Sequence, residues 1–284
     1  MVEPIFEADF RPCSYGFRPN RRAQDAIAEI HRYASRPGNY LWVFEADIRA
    51  CFDEISHTAL MERFRSRIKD KRVGALVKAF LRSGVLHDSG DREDTITGTP
   101  QGGILSPLLA NIALSALDEH FDDQWQQQML TAPQRRRRMA RGEGNWRLVR
   151  YADDFVFLVA GQRHHAEALR PWVEAILEPL GLRLAPEKTR VVHMDEGFTF
   201  LGFDIRRMRK RGTSKAFIYT IPSRKAVASV KGKVKEWTHR SGRNMELDQL
   251  IVRLNQIIGG GRTTSGTAFR NACSRRSTTM REVG

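Results

Sequence analysis

Cysteine is scarce and scattered in this chain of 284 residues: Cys13, Cys51 and Cys273 stand far apart, with no CxxC spacing. That excludes a disulfide framework and a cysteine-based zinc module, and a reducing cytoplasmic setting fits best. No apolar run approaches the roughly 20 residues that cross a bilayer, and no signal-peptide hydrophobic region opens the chain. An internal repeat is lacking too. Acidic residues are the minority charge, 33 Asp+Glu against 47 Lys+Arg, which leaves a net +14. A balance that basic favours a polyanionic partner, nucleic acid first and an acidic membrane surface second.

What is present reads as mixed α/β, with length for one large or two ordinary domains. Asn20 is placed to cap a helix burying Ala23, Ile27, Ile30 and Ala34, which Pro37-Gly38-Asn39 ends. Tyr40 to Ala46 reads as a buried strand delivering Asp47. Ser56 can cap a helix with Leu60, Phe64 and Ile68 on one face, and Val73, Leu76, Val77 and Phe80 predict another. Ser106 as N-cap with Pro107 behind it opens a long helix through Phe121. Pro133 to Gly144, with the run Arg135–Arg138, reads as a solvated basic loop. A helix from His164 to Leu180 should kink or divide at Pro171 and close at Gly181, and His164-His165 reads as a surface start. Strands are expected near 188–193, 198–205 and 216–221. From Ser223 the pattern turns helical, with Val227, Val230, Val234 and Trp237 on one stripe and residues 247–258 forming a second helix.

The most informative stretch is Tyr151-Ala152-Asp153-Asp154, between Leu148-Val149-Arg150 and Phe155-Val156-Phe157-Leu158-Val159. Two strand-like runs separated only by an acidic pair read as a hairpin with carboxylates at its tip. Adjacent carboxylates repel, and a divalent cation relieves that repulsion. Asp is also a common turn residue, so the tetrad alone leaves a polar turn open. Asp47 can face the hairpin if the two strand units lie side by side. Three converging carboxylates would then bridge two Mg²⁺ ions, which prefer oxygen ligands and keep positions open for phosphates. Asp47 alone could equally be a strand-end cap.

Further segments complete a pattern in a fixed order. They are Ser14-Tyr15-Gly16-Phe17-Arg18-Pro19, the run from Asp47 to Asp53, the run from Thr99-Pro100-Gln101-Gly102-Gly103 to Asn111, and the acidic tetrad. Gly181-Leu182 with Pro186-Glu187-Lys188-Thr189, and then Phe200-Leu201-Gly202-Phe203, follow. Taken together over residues 3–206, they closely resemble the reverse transcriptases encoded by group II introns, the maturase-type retroelement enzymes.

The resemblance implies a polymerase right-hand palm with partial fingers over residues 1–221, and a partial helical thumb or maturase-like region over 222–258. It implies RNA-directed DNA polymerase activity through two-metal nucleotidyl transfer, with a splicing role for the intron. A splicing maturase or RNA-binding remnant without polymerase activity is the alternative. Asp47, Asp153 and Asp154 would be catalytic, and with Ile48 would form the Mg²⁺ site. Phe52 would gate the sugar 2′ position, Gln101 would flank the nascent base pair, and Lys188 would stand near the leaving pyrophosphate. Tyr15, Arg18, Gly102, Leu201, Gly202, Arg206, Arg207, Lys231 and Lys235 would meet nucleic acid. The implied partners are an intron RNA template, a DNA primer or target, dNTPs and, as an assembly, a homodimer; no membrane is involved.

Two departures from the family shape the expectation. Met1 falls about a dozen residues before Ser14, so a fingers element that contacts the triphosphate is expected to be missing. Residues 259–284 carry five Arg and one Glu with few large apolar side chains. They are expected to be a disordered or non-homologous tail.

Overall fold

The structure, a computed structural model, describes residues 2–83, 85–86, 92–93, 97–100, 103–210, 212–239 and 248–256. In chain order the first elements are α1 (Glu3–Glu7), α2 (Ala23–Ala34), β1 (Trp42–Ala46), α3 (Cys51–Glu54), α4 (His57–Arg67) and α5 (Lys71–Leu81). The short strands β2 (Val85–Leu86) and β3 (Arg92–Glu93), then α6 (Ser106–Gln128) and α7 (Ala132–Ala140), come next. The hairpin of β4 (Asn145–Tyr151) and β5 (Asp154–Ala160) leads to α8 (Arg163–Glu167), α9 (Leu169–Leu177) and β6 (Arg190–His193). The strands β7 (Phe198–Phe200), β8 (Phe203–Arg209) and β9 (Ala216–Pro222) precede α10 (Arg224–His239). Residues 248–256 are helical.

The chain divides into two compact units. The larger holds the residues up to Arg21 and Gly38–Val192, and is built on a four-stranded sheet in the order β4-β5-β1-β6, with β5 antiparallel to both β4 and β1. The apolar run Phe155–Val159 makes β5 a central strand buried on both faces, so the sheet is covered on both sides. On one side lies α6, whose Phe121 ring meets Phe157 edge-on at 4.5 Å. Each fully buried aromatic or aliphatic chain in such a core contributes roughly 1.5–3 kcal/mol. Helix α6 is buried over most of its circumference, and that apolar jacket forces its polar members Asn111, Ser115, Asp118 and Asp122 to find partners inside the protein.

The smaller unit comprises Arg22–Pro37 and the residues from His193 on. Its sheet runs β7-β8-β9, and α2 lies against β9, where His31 Nε2 is 3.2 Å from the Ile218 carbonyl oxygen. Ser223 caps α10 by accepting from the Ala226 N–H at 3.2 Å.

Several local expectations change in physical detail. Arg22 rather than Asn20 is the N-cap of α2; Asn20 sits in the preceding turn at φ 59°. Ser106 is the first residue of α6 and donates its hydroxyl to the Pro100 carbonyl instead of capping. On α5, Asp70 supplies the cap, Val77 and Leu81 are buried, and Leu76 faces solvent. The basic segment at 133–144 is a helix, α7, held by a capping box between Thr131 and Gln134. Arg135 lies over Trp125 and Arg138 over Trp146, so two of the four arginines turn inward. The helix foreseen over 164–180 divides at Ala168, ahead of Pro171, and ends on Gly181 at φ 75°. His165 is no mere surface residue: its Nδ1 accepts from the Gln162 N–H at 2.9 Å and its Nε2 lies 2.8 Å from the Gly142 carbonyl oxygen.

Candidate active site

The acidic tetrad is a two-residue hairpin, with Tyr151 paired to Asp154. Ala152 takes φ 57° at the first loop position and Asp153 does not follow it into positive φ, the φ pattern of a type II′ turn. Alanine is an unusual choice there, and the surroundings enforce it. Gly16 presses on the loop so closely that a Cβ added to it would lie 2.2 Å from the Ala152 nitrogen. Only glycine permits that approach.

The β1–β5 ladder ends at Ala46 opposite Phe155. Continued one step, that register would bring Asp47 opposite Asp154, and the Asp47 charge acts on both Asp154 and Asp153. Directly opposed residues of an antiparallel pair share a face, so the Asp47 and Asp154 side chains emerge together. On its other side the Asp47 segment is tied to 183–185: Ala185 donates to the Asp47 carbonyl and Arg49 to the Arg183 carbonyl, both at 2.9 Å. These bonds flank the Ile48–Leu184 bridge, which turns the Ile48 carbonyl away from Leu184 and toward the β5 side. The Ile48 side chain is buried.

Lys188 donates from Nζ to Asp47 Oδ2, and two residues along, Arg190 Nε donates to Glu45 Oε2 at 2.7 Å. The hydrogen bond and the charge of Asp47 hold the Lys188 ammonium above its usual range. Asp154 is pushed up to about 6, first by desolvation within the site and then by the charges of Asp153 and Asp47, with Lys188 opposing. Asp153 is raised as well, chiefly by desolvation and then by Asp47, against the lowering effect of its own backbone hydrogen bond. Next to them the buried Cys51 thiol is pushed up to about 12, by desolvation first and by Asp153 next, so it is inert.

Among the described residues no three His, Cys, Asp or Glu side chains are gathered into a ready-made cage. The donor set nevertheless fits a divalent cation. It is all carboxylate oxygen, it resists carrying its full negative charge, and a small hard cation needs only one or two carboxylates when phosphates complete its sphere.

Phe52 lies on α3, whose entry at Ala50 takes φ 41°. Its carbonyl accepts from the Thr99 N–H at 2.6 Å, which ties the helix to the segment leading into 100. The Phe52 ring meets Phe17 edge-on at 6.5 Å. Phe17, at φ 53° and 50% exposed, is the open member of the Ser14–Pro19 turn. Tyr15 and Arg18, expected at nucleic acid, are both buried. Arg18 donates to Glu7 and to the carbonyls of Arg11 and Ser14, so its placement is structural. Gln101 and Gly102 lie outside the described residues.

In the smaller unit, Leu201 (φ 48°) and Gly202 (φ 78°) form the two-residue loop joining β7 to β8, the pairing of positive φ values that a type I′ hairpin requires. Arg207 pairs with Asp195 at 2.6 Å, while the exposed Arg206 donates its Nε to the Asp195 carbonyl. Lys231 and Lys235 are exposed on α10.

Sequence reasoning missed Arg150. It is wholly buried behind the hairpin and bonded to Asp118, Asn111, Ser14 and the Ala152 carbonyl. Its signal was a charge inside an apolar strand together with an Asp and an Asn on the buried helix, each of which demands a partner.

Comparison with known proteins agrees with this geometry. Residues 1–205 match the family described as reverse transcriptase (RNA-dependent DNA polymerase). The chain is 37% identical over 245 residues to Protein YkfC of Escherichia coli K12, covering 79% of this chain and 63% of that protein. It is 31% identical over 259 residues to the group II intron-encoded protein LtrA of Lactococcus lactis subsp. cremoris, covering 76% of this chain and 42% of LtrA. The structure of telomerase from Candida albicans, in complex with a TWJ fragment of telomeric RNA, superposes with a TM-score of 0.55 at 14% identity. It covers 96% of this chain and 47% of the telomerase chain, and the likeness is one of fold. The chain thus spans less than two thirds of the length of either curated relative.

Proposed function

The chain belongs to the reverse transcriptase (RNA-dependent DNA polymerase) family, and from that premise we propose that it is an RNA-directed DNA polymerase of the group II intron type. What supports the reading is the convergence of three carboxylates: the β1–β5 ladder runs to Ala46 opposite Phe155, and Asp47 lies near enough to Asp153 and Asp154 for its charge to raise both. The reaction is attack of a primer 3′-hydroxyl on the α-phosphate of a dNTP, directed by an RNA template.

The family uses divalent metal ions, and when bound they activate the hydroxyl and neutralise the phosphates. Two Mg²⁺ would be held by Asp47, Asp153 and Asp154 with Ile48 contributing backbone. Lys188 carries a proton at Nζ that it can place on the leaving pyrophosphate while the phosphates compete with Asp47 for its charge. The Phe52 ring excludes a sugar 2′-hydroxyl, the group that separates RNA from DNA building blocks. By the family pattern Gln101 would meet the nucleotide, and Gly102, Leu201 and Gly202 would meet nucleic acid. Exposed Lys231 and Lys235 would track the backbone of an RNA–DNA duplex.

We assign residues 1–221 to fingers and palm, 222–258 to a thumb-like region and 259–284 to a non-homologous tail. The change from strand to α10 after Ser223 supports the boundary near 221. Partners are an intron RNA, a DNA primer or target and dNTPs, with a homodimer as the assembly. The buried free thiols of Cys13 and Cys51 support a reducing, cytoplasmic setting.

A second reading, an RNA-binding splicing maturase without polymerase activity, is favoured by the net charge of +14, which supplies RNA affinity without calling on the acidic site. Primer extension by the wild type and Asp47→Asn on matched RNA and DNA templates separates the two. Extension that prefers RNA and is lost in the variant supports the polymerase. Salt-sensitive RNA binding by both proteins, with extension by neither, supports the maturase.

A further inference from the structure

Arg150 has no solvent exposure, yet every one of its five guanidinium hydrogens has an acceptor. Nε donates to Asp118 Oδ1 at 2.8 Å, and one terminal nitrogen donates to Asp118 Oδ2 and, at 2.7 Å, to Ser14 Oγ. The other terminal nitrogen donates to Asn111 Oδ1 at 2.9 Å and to the Ala152 carbonyl at 2.7 Å. Asn111 in turn donates to the Gly16 carbonyl at 2.8 Å, and the backbone of Arg150 is bonded to Cys13 and Tyr15. One side chain therefore joins α6, the 13–16 segment and the loop of the acidic hairpin.

Stability alone is a poor explanation for that arrangement. Burying an ion pair is expensive, and well-packed apolar residues often do as well. What apolar residues cannot do is fix the direction of a peptide plane. The Ala152 carbonyl and the Asp153 N–H belong to one planar peptide unit. A guanidinium clamped by a buried carboxylate and aimed at that carbonyl therefore fixes the plane from which Asp153 departs. The preceding peptide, between Tyr151 and Ala152, is abutted by Gly16, whose position leaves no room for even a methyl group. Between them they hold Ala152 at φ 57°, a conformation that alanine seldom adopts unless its neighbours impose it.

We propose that Arg150, clamped by Asp118 and Asn111, is the positioning residue that sets the Asp153–Asp154 carboxylates at the geometry the polymerase reaction needs. This rests on the polymerase reading; Ser14 and Asn111 act through Arg150, and Gly16 on the loop directly, none of them on substrate.

The test uses the full chain and Arg150→Lys, which keeps the charge beside Asp118 but cannot reach five acceptors with one ammonium. Arg163→Gln, which removes an exposed pairing with Glu167, is the control. The readouts are steady-state extension of oligo(dT) on poly(rA), primer–template affinity, Mn²⁺ affinity by electron paramagnetic resonance, and thermal unfolding. Arg150→Lys should lower kcat about a hundredfold with KM for dTTP within about threefold, because small misplacement of reacting groups acts on the chemical step. It should weaken Mn²⁺ binding about tenfold while leaving primer–template affinity unchanged. A variant that melts earlier but whose folded fraction keeps wild-type kcat and Mn²⁺ affinity would make Arg150 merely structural and overturn the proposal. Should Arg150→Lys not fold, Asn111→Ala takes its place: the same split at smaller size supports the proposal, and unchanged kcat and Mn²⁺ affinity overturn it. A wild type inactive on every template would instead overturn the polymerase reading, and Mn²⁺ affinity would still decide the role of Arg150.

Discussion

Lys188 donates to the carboxylate of Asp47, alongside the pairing of Arg190 with Glu45 two residues further on. The lysine is largely exposed, 64% against 18% for Asp47. An exposed pair of this kind adds little to folding. Lys188→Ala should accordingly leave the unfolding temperature nearly unchanged while lowering the rate of nucleotide addition by about 10² or more, the usual contribution of a placed proton donor. Single-turnover extension beside a thermal melt checks this, and an unchanged rate would remove Lys188 from the chemistry.

The raised Asp154 carboxyl makes stability depend on pH in a definite direction. In the folded chain it titrates at about 6, against an ordinary value of 3.8. Between those values the folded state binds more protons than the unfolded state, so stability is fullest below about pH 4 and declines as pH rises to about 6. Asp154→Asn removes that decline. Because the side chain reaches solvent, we expect about 1 kcal/mol of stabilisation at pH 7.5 and none at pH 4. Urea unfolding of both proteins at the two pH values measures it; equal stabilisation at both would show that charge is not the cause.

Gly16→Ala would drive a methyl group into the backbone of Tyr151 and Ala152, with contacts of 2.8 and 2.2 Å. Backbone cannot swing aside as a side chain can, so the loop must move. We expect a loss of about 2–3 kcal/mol and a near-inactive enzyme, since overpacking here acts on the acidic loop itself. Denaturant unfolding and primer extension together check it, and wild-type activity would mean the loop tolerates displacement.

The acidic hairpin was legible in the chain because an acidic pair interrupts two apolar strand-like runs, and the unbroken apolar residues after it leave only that pair for the turn. Asp47 was legible for the same reason, at the end of a buried strand. Family membership followed from the order of the motifs rather than from any one of them. The helix α7 was not legible, because four consecutive arginines look like a solvated loop until Trp125 and Trp146, distant in sequence, supply faces for two of them. Arg18 illustrates the converse. A basic residue in a motif suggests a phosphate contact, whereas Glu7 and three nearby backbone carbonyls draw it inward. Arg150 was hidden because its partner Asp118 lies 32 residues away on a helix whose other positions are mostly apolar.

Phe52 offers a test of substrate choice. Replacing it with valine should open space at the sugar and raise the efficiency of ribonucleotide incorporation by about 10²-fold, the scale on which a steric contact of this size discriminates, with dNTP use reduced only modestly. Competition between dTTP and UTP on poly(rA) gives the ratio; no change would place the ring away from the sugar.

The central claim is that Asp153 and its neighbours form a polymerase centre in this chain. The most direct measurement is extension of oligo(dT) on poly(rA) with Mg²⁺ by the wild type and by Asp153→Ala, each shown to be folded and to bind the primer–template equally. The account predicts processive dTTP incorporation by the wild type and a loss of about 10³-fold or more in the variant, the scale of removing a principal charge-stabilising group. Extension by Asp153→Ala at the wild-type rate, or none by a folded, template-bound wild type, would contradict it.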